Sequence, residues 1–345
     1  MFRHWFVTKH THVVKVGEIL AVIPNFSKNI QLQKSYSLFL VLTITLSLLI
    51  THYSRIHYYQ NFVPIKLINT VLYESAVYAF LLVSITNATF LKKKQWCILL
   101  EFLKDMERTY VWTFILAQII FIVCCGYVTA VWLKLEGIDY LKENTLGTVL
   151  FYYKFYVSCV IVVSTKVVAL NYQRLGQTLK SCKKDVKMLE NRVVFLKDIV
   201  DNFNKIFGWP LIFLMIVTGV AVVDFLDDIF KNSYDYSQEH YLGIVTATLL
   251  TVLLILIPRF AIVLSCHQVY VNARDVLKVA YNLRRCSVGQ EWKQMDCFIK
   301  TVVHHLPHIT AADFFQIDKT MIFHMLGTVS TYLIVVVQFN ANSSV

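Results

Sequence analysis

The stretch TMIFHMLGTVSTYLIVVVQFN, residues 320–340, decides the fold class of this chain. As an α-helix it would extend about 31 Å, enough to cross the hydrocarbon core of a bilayer. At about 100° per residue, one narrow face carries mainly polar or small residues: Thr320, His324, Gly327, Thr331, Val335, Gln338 and Asn342. Lipid cannot satisfy hydroxyl and amide groups, so this face must contact protein or water. The residues alone leave two interpretations, a helix–helix interface and the wall of a water-filled pore.

The rest of the chain is also strongly apolar. Hydrophobic residues make up 57% of the 345 and charged residues only 16%, whereas soluble domains carry about 25% charged residues. No sustained alternation of apolar and polar residues indicates the strands of a membrane barrel. Apolar runs predict membrane helices at 36–52, 65–90, 110–133, 149–170, 209–230, 241–264 and 320–340. We therefore predict an all-α protein with seven transmembrane helices.

Basic residues are distributed unevenly between the predicted loops. With a cytoplasmic N-terminus, the inner segments (1–34, 92–108, 171–208 and 267–319) hold 25 Lys and Arg, and the outer segments hold four. This bias is the main determinant of orientation, so we expect the N-terminus inside, the C-terminus outside and a plasma-membrane location. The same loops account for the net charge of +11, so we expect no nucleic-acid partner. A G-protein-coupled receptor has the opposite orientation, which disfavours that class.

Two predicted cytosolic stretches carry apolar residues at helical spacing. Residues 171–208 would extend the membrane helices, and residues 265–319 would form further amphipathic helices with a break near Gly289. Apolar faces outside the membrane need partners, so we expect both stretches to pack together, and with neighbouring subunits, as a cytosolic anchor. The other predicted domains are a cytoplasmic segment (1–34), membrane helices one to six (35–264) and a seventh helix with a short extracellular end (320–345).

No motif supports catalysis or a resident metal. A Gly-rich phosphate loop, a nucleophile elbow and a pair of catalytic carboxylates are all missing from the sequence. His304 and His308 have the i, i+4 spacing of metal ligands, but Pro307 would disturb the helix and no third ligand is evident. We therefore expect neither enzyme activity nor a cofactor.

The last predicted span ends in a pattern that resembles the C-terminal signature of insect gustatory receptors: Thr331-Tyr332, five apolar residues, then Gln338-Phe339. Residues 310–318 (TAADFFQID) are similar to the family's T-A-x-G-F-F-x-(I/L)-D lead-in, with Asp313 where the family commonly has Gly. Residues 204–208 (NKIFG) resemble its N-x-x-F-G, and residues 96–103 resemble its short intracellular loop. The resemblance covers the whole topology and is specific from about residue 200 onward.

The resemblance implies a tetrameric, ligand-gated, non-selective cation channel, related in fold to insect odorant receptors. In such a channel the seventh helix of each subunit lines a central pore that passes cations such as Na⁺, K⁺ and Ca²⁺. The resemblance places the constriction at Gln338 and Phe339, where four amides would partly replace an ion's hydration shell. The expected pore and gate residues are Thr331, Tyr332, Val335, Gln338 and Phe339. The pore interpretation is thereby favoured over the interface.

The resemblance also implies a pocket in the outer half of helices one to six for a small-molecule tastant, either a sugar or a bitter compound. Charged groups inside a span usually face protein or a wet cavity, and aromatic rings line most small-molecule sites. On these grounds the candidate pocket residues are Glu74, Tyr78, Tyr152, Tyr153, Lys154 and Tyr156, with Tyr73 and Trp132 as further aromatic candidates. A seven-helix transporter and a metabotropic receptor are the alternatives.

Overall fold

Helices make up almost all of this computed structural model, which confirms the all-α prediction. The structure describes residues 11–24, 30–54, 64–104, 108–181, 186–232 and 238–342. Within these ranges the helices are α1 (Thr11–Ile19), α2 (Ile30–Ser54), α3 (Pro64–Thr86), α4 (Lys93–Leu103), α5 (Arg108–Glu136), α6 (Ile138–Ser181), α7 (Val186–Asn232), α8 (Gln238–Arg285), α9 (Gln290–His304) and α10 (Thr320–Asn342). A π-helical turn (Asn87–Leu91) follows α3, and β1 (Thr310–Ala311) pairs with β2 (Phe315–Gln316) just before α10.

Each of the first six predicted spans overlaps a helical segment that is long and apolar enough to cross a membrane. Among the described residues these segments are Gln31–Ile50, Leu67–Leu91, Tyr110–Glu136, Asn144–Ser181, Val186–Asp224 and Leu242–Arg285. The seventh predicted span lies within α10, whose 23 residues extend about 34 Å. The chain therefore folds as a multi-helix membrane protein.

Three helices continue far beyond the thickness of a bilayer. α6, α7 and α8 contain 44, 47 and 48 residues, so each is about 66–72 Å long, more than twice the hydrocarbon core. α6 packs along α8, and α7 packs against both of them and against α3. Because the bilayer cannot contain these lengths, part of each helix must form a bundle in water.

The stretch 171–208 forms two helices rather than one. α6 ends at Ser181 and α7 begins at Val186, so the two halves of the apolar pattern face each other. The pattern residues are all buried: Leu175, Leu179, Val186, Leu189, Val193, Leu196, Val200 and Phe203. Their burial supplies the apolar core of the part of the bundle that projects from the membrane region.

The stretch 265–319 is interrupted at Gly289, whose φ of +66° is a conformation that glycine adopts without strain. α9 follows directly and packs against α7 and α8 through buried Met295, Phe298 and Val302. The neighbouring apolar residue Val303 is 48% exposed. Its position next to Val302 turns it about 100° away from the face that packs.

Residues 21–23, which follow α1, enter the bundle. Ala21, Val22 and Ile23 are buried among the residues of the main core. Gly17 lies so close to α6 that a Cβ there would stand 2.7 Å from the Tyr156 hydroxyl. Tyr36 of α2 donates a hydrogen bond to the Ile19 carbonyl at 2.6 Å. This segment therefore fills space between membrane helices.

Candidate functional site

The polar face of α10 is exposed on the single chain. Thr331 and Gln338 are exposed, and so are His324 and Gly327 one to four turns earlier. The Thr331 hydroxyl donates to the Gly327 carbonyl at 2.9 Å, so it is satisfied within its own helix and needs no partner across an interface. Of the predicted gate residues, Tyr332, Val335 and Phe339 have side chains outside the described part of the structure.

The apolar faces of α10 are also largely uncovered. Phe323 is 72% exposed, Leu326 51% and Ile334 57%. Among the described residues, the main contacts of α10 within its own chain are with α7, and those with α8 are lighter. Its N-terminal turn is the best-packed part, because Met321, Ile322 and Met325 contact the main core. Most of the α10 surface is therefore available to lipid, water or other chains.

Two of the sequence motifs meet at the base of α10. The Asn204 side chain donates to the His308 carbonyl at 2.8 Å and accepts from the Thr310 backbone N–H at 3.2 Å. A Cβ at Gly208 would stand 2.7 Å from the backbone nitrogen of Ala312, so only glycine permits this approach of α7 to the hairpin. The 204–208 and 310–318 motifs therefore form one joint, through which α7 holds the chain that leads into α10.

The motif at residues 96–103 packs against the same joint. Trp96 of α4 is buried, with its ring 5.3 Å from Phe207, and Trp209 lies 5.8 Å from Phe314 of the hairpin. Asp313, in the position where the family commonly has Gly, adopts a φ of +62°. Asp tolerates this left-handed region better than most residues, and its carboxylate accepts a hydrogen bond from the Thr310 hydroxyl at 2.9 Å. The hairpin thus keeps the glycine-type backbone.

Asp318 caps the N-terminus of α10. Its carboxylate accepts hydrogen bonds from the Thr320 hydroxyl and, at 2.9 Å, from the Thr320 backbone N–H. The Thr320 hydroxyl is the main reason that the pKa of Asp318 is lowered, and backbone N–H groups of Thr320 and Met321 add to the effect. A carboxylate at this position also opposes the positive end of the helix dipole.

A cavity of about 410 Å³ lies at the end of the bundle where α5 turns into α6. Fourteen residues from α3, α5, α6 and α8 line it: Tyr73, Cys125, Val128, Thr129, Trp132, Glu136, Tyr140, Asn144, Gly147, Thr148, Phe151, Thr251, Leu254 and Ile255. Near its opening the rings of Trp132 and Tyr140 stack at 6.2 Å. Its volume and mixed lining are those of a small-molecule site.

The six predicted pocket residues lie outside the described lining of this cavity. Tyr153 and Tyr156 are core residues, packed edge-on against Phe80 at 6.0 Å and Phe114 at 5.6 Å. Tyr152 lies beside Phe121 at 5.7 Å, Tyr78 shares a hydrogen bond of 3.1 Å with Thr45, and Glu74 is half-buried. Tyr73 and Trp132, named as further aromatic candidates, do line the cavity.

Lys154 is the predicted residue that comes nearest to the cavity. It is buried, and its Nζ donates to the Tyr73 hydroxyl at 2.7 Å, directly behind the cavity wall. Sequence reasoning missed Tyr140, Asn144, Thr148 and Phe151, all on α6. Their spacing of three to four residues was the available signal, since it places a row of mostly polar groups on one face of a helix that leads into the predicted span 149–170.

The rings of His304 and His308 make separate contacts. α9 ends at His304, and the His308 ring lies instead beside Tyr270 at 5.5 Å, with its Nδ1 3.2 Å from the Gln316 side chain. Within the described ranges, no group of three or more His, Cys, Asp or Glu side chains could hold a metal ion.

Comparison with known proteins gives a family and a fold. A family model described as 7tm chemosensory receptor matches residues 19–343. Over 147 residues the chain is 28% identical to "Putative gustatory receptor 28b" of Drosophila melanogaster. This alignment covers 41% of this chain and 31% of that protein, so it spans about a third of the relative.

Two solved structures share the fold over nearly the whole chain. The insect olfactory receptor OR5 from Machilis hrabei in complex with eugenol superposes with a TM-score of 0.67 and 13% identity, covering 95% of this chain and 97% of that one. A second structure of that receptor gives a TM-score of 0.63 and 14% identity, over 94% and 97% of the two chains. At these identities the likeness concerns the fold alone.

Proposed function

Since the chain belongs to the 7tm chemosensory receptor family, we propose that it is a gustatory receptor that works as a ligand-gated cation channel. It would lie in the plasma membrane with its N-terminus inside, consistent with 25 Lys and Arg in the predicted inner segments against four in the outer ones. An extracellular small-molecule tastant, a sugar or a bitter compound, would open it to Na⁺, K⁺ and Ca²⁺.

The observation that carries this proposal is the surface of α10. α10 is long enough to span a membrane, and the rest of the chain covers little of its surface. Thr331 and Gln338 are exposed on one side, and Phe323 and Ile334 are exposed elsewhere. Lipid would accept the apolar side, and it would accept Thr331, whose hydroxyl is satisfied within α10, but it would not accept the Gln338 amide. A tetramer would give both sides of α10 a suitable environment. The polar faces of four copies would enclose water, and the apolar sides would contact neighbouring subunits or lipid.

The gate in this proposal lies at Gln338 and Phe339. Four Gln338 amides around the axis would replace part of an ion's hydration shell, and a ring of Phe339 side chains would close the pore by excluding water. Val335 and Thr331 would line the pore one and two turns inward, and Tyr332 would contact a neighbouring helix.

The cavity between α5, α6 and α8 is the proposed tastant site. It opens at the α5–α6 turn, which is extracellular in the proposed orientation, and its volume suits a molecule of the size of a monosaccharide or a small aromatic compound. The olfactory receptor OR5, which shares the fold, was solved in complex with eugenol, so a receptor of this fold can hold a small aromatic molecule.

Recording from cells that express only this chain tests the proposed function. We expect tastants from a mixed panel of sugars and bitter compounds to evoke cation currents that persist when G proteins are blocked. Currents that vanish with that block would favour a metabotropic receptor, and ligand flux without single-channel openings would favour a transporter. Either result, or no current from any compound at confirmed surface expression, overturns the channel proposal.

The variant Gln338→Ala tests the gate. It removes the ring of amides, so we expect a changed Ca²⁺ to Na⁺ permeability ratio or a changed open probability at unchanged surface expression. Gln290→Ala is the matched control, because Gln290 is exposed at the start of α9 and lies outside the proposed pore. Native permeation and gating in a well-expressed Gln338→Ala channel would contradict the assignment.

A further inference from the structure

Two buried basic side chains lie behind the deep wall of the cavity. Lys154 of α6 and Arg259 of α8 are both 4% exposed, within segments of membrane-spanning composition. Lys154 donates to the Tyr73 hydroxyl; Arg259 donates to the Thr218 hydroxyl at 3.0 Å and to the Ser158 hydroxyl. All of these partners are neutral. Among the described residues no carboxylate pairs with either side chain.

The two basic groups belong to one hydrogen-bonded cluster. Ser158, which accepts from Arg259, donates its own hydroxyl hydrogen to the Lys154 carbonyl one turn earlier on α6. Lys154 also lies over two aromatic rings, with its Nζ 4.8 Å from the Tyr73 ring centre and 5.8 Å from that of Phe151. Hydroxyl groups and aromatic rings reduce the free-energy cost of burying a positive charge, but a full negative charge offsets this cost far better.

Tyr73 connects this cluster to the cavity. It lines the cavity and accepts the Lys154 hydrogen bond, so its own hydroxyl hydrogen is not used in that contact. Within the described part of the chain no other group accepts that hydrogen. A phenol that accepts from an ammonium group becomes a stronger donor, because its O–H is polarised by the adjacent charge. The deep end of the cavity therefore offers a donor backed by positive charge.

The opposite end of the cavity has a different chemistry. Glu136, Trp132 and Tyr140 lie near the opening, and Glu136 is exposed to solvent. Tyr140 and Phe151 are eleven positions apart on α6, so the two ends are separated by about 16 Å. Apolar Val128, Leu254 and Ile255 contribute to the lining. A carboxylate of a ligand would thus be stabilised at the deep end and repelled at the mouth, which fixes the direction in which the ligand lies.

We propose that the cavity takes a small amphipathic monocarboxylate, with its carboxylate on Tyr73 and its apolar body along Val128, Leu254 and Ile255. This inference rests on the proposed function in that it concerns the same ligand site, and it narrows the tastant to an organic acid. Lys154 acts through Tyr73 and is therefore a positioning residue that sets the preference for charge. The ligand carboxylate supplies the negative charge that the buried cluster lacks.

Binding to the purified protein in lipid nanodiscs tests the proposal without requiring a channel. The probes are benzoate, 3-phenylpropanoate and 4-phenylbutanoate, each paired with its neutral primary amide, and the readout is the ligand-dependent shift in thermal unfolding. We expect at least one acid to bind tenfold or more tightly than its amide. In Lys154→Met the ratio of the amide Kd to the acid Kd should fall to about one, mainly because the acid binds more weakly.

Two further variants separate charge from packing. Lys154→Arg restores a positive donor and should restore the preference for the acid, which a merely structural role would not explain. Lys166→Met is the matched control, because Lys166 lies on the same helix but is exposed, and it should leave the ratio unchanged. The Met variant removes a buried charge, so it should fold at least as well as the native chain.

The outcomes distinguish this inference from the proposed function. If every acid binds no better than its amide, or if Lys154→Met leaves the ratio unchanged, the inference is overturned, whether or not neutral tastants evoke currents. If the acid preference and its dependence on Lys154 are observed but no compound evokes a current, the inference stands and the channel proposal fails.

Discussion

The projecting ends of α6 and α7 and the final helix α10 both carry apolar side chains at helical spacing, yet these side chains differ completely in burial. Leu179, Leu196 and Phe203 are at most 1% exposed, whereas Phe323 is 72% exposed and Ile334 57%. The first region finds its partners within one chain, as the helices fold back on each other. The second does not, so its apolar residues must meet lipid or other copies. An apolar pattern thus predicts that a face will be covered, but not by what.

Two phenylalanines test this difference most directly. Phe203→Ala should lower the free energy of unfolding by about 3–5 kcal/mol, because it leaves a cavity in a packed core. Phe323→Ala is the matched control and should cost the monomer less than about 1 kcal/mol, since an exposed side chain loses little contact. Thermal or denaturant unfolding of the detergent-solubilised monomer measures both. Equal costs would show that the contrast in burial is not real.

One glycine allows the close contact between residues 204–208 of α7 and the hairpin that leads into α10. Gly208→Ala places a Cβ against the backbone of Ala312, so the hairpin before α10 must shift, at a cost of about 1–3 kcal/mol. Gly219→Ala, in the same helix with open space around it, should instead stabilise α7 by up to about 1 kcal/mol. We also expect Gly208→Ala to alter gating, measured as the midpoint of the dose–response curve. If Gly208→Ala and Gly219→Ala change stability in the same way, the approach of α7 to Ala312 does not require glycine at position 208.

A substitution at the start of α10 should lower stability by a smaller amount, and that amount should depend on pH. Asp318→Ala removes the cap of α10 and should cost about 0.5–2 kcal/mol. Because the pKa of Asp318 is lowered in the folded protein, its contribution is fully present above the usual carboxyl pKa and is lost as pH falls through the lowered value.

The difference in stability between native protein and Asp318→Ala should therefore shrink below about pH 4. Asp275→Ala, which removes only an exposed ion pair with Lys278, is the control and should change stability by less than about 0.5 kcal/mol. Unfolding curves recorded from pH 3 to 7 measure the effect. A difference that does not vary with pH would rule out capping by the carboxylate.

The membrane fold and the family could be predicted from the sequence because both depend on short-range patterns. Apolar runs located the spans within helices, and the family model confirms the resemblance to gustatory receptors that residues 204–208, 310–318 and 331–339 indicated. The mutual packing of the first two of these motifs could not be predicted, because it depends on how α7 meets the hairpin. Spacing alone carries no information on contacts between residues about a hundred positions apart.

The cavity lining was harder to predict than the helices, for a related reason. Tyr152, Tyr153 and Tyr156 were selected for their residue types, but the rotation of α6 turns Tyr153 and Tyr156 into the core. The cavity is instead lined by Tyr140, Asn144, Thr148 and Phe151. A helix in a bundle can be buried on every side, so the face that meets a ligand is fixed by its neighbours. Lys154 remained close because a buried charge must find polar partners wherever they lie.

The insertion of residues 21–23 into the bundle has a practical consequence for anyone who wishes to label or shorten this receptor. Val22 and Ile23 are buried, and Gly17 lies directly against the Tyr156 hydroxyl. Deleting residues 17–23 would therefore open a hole beside α6 and remove the contact with the Tyr156 hydroxyl. A tag that replaces residues 17–23 should reduce the yield of folded receptor.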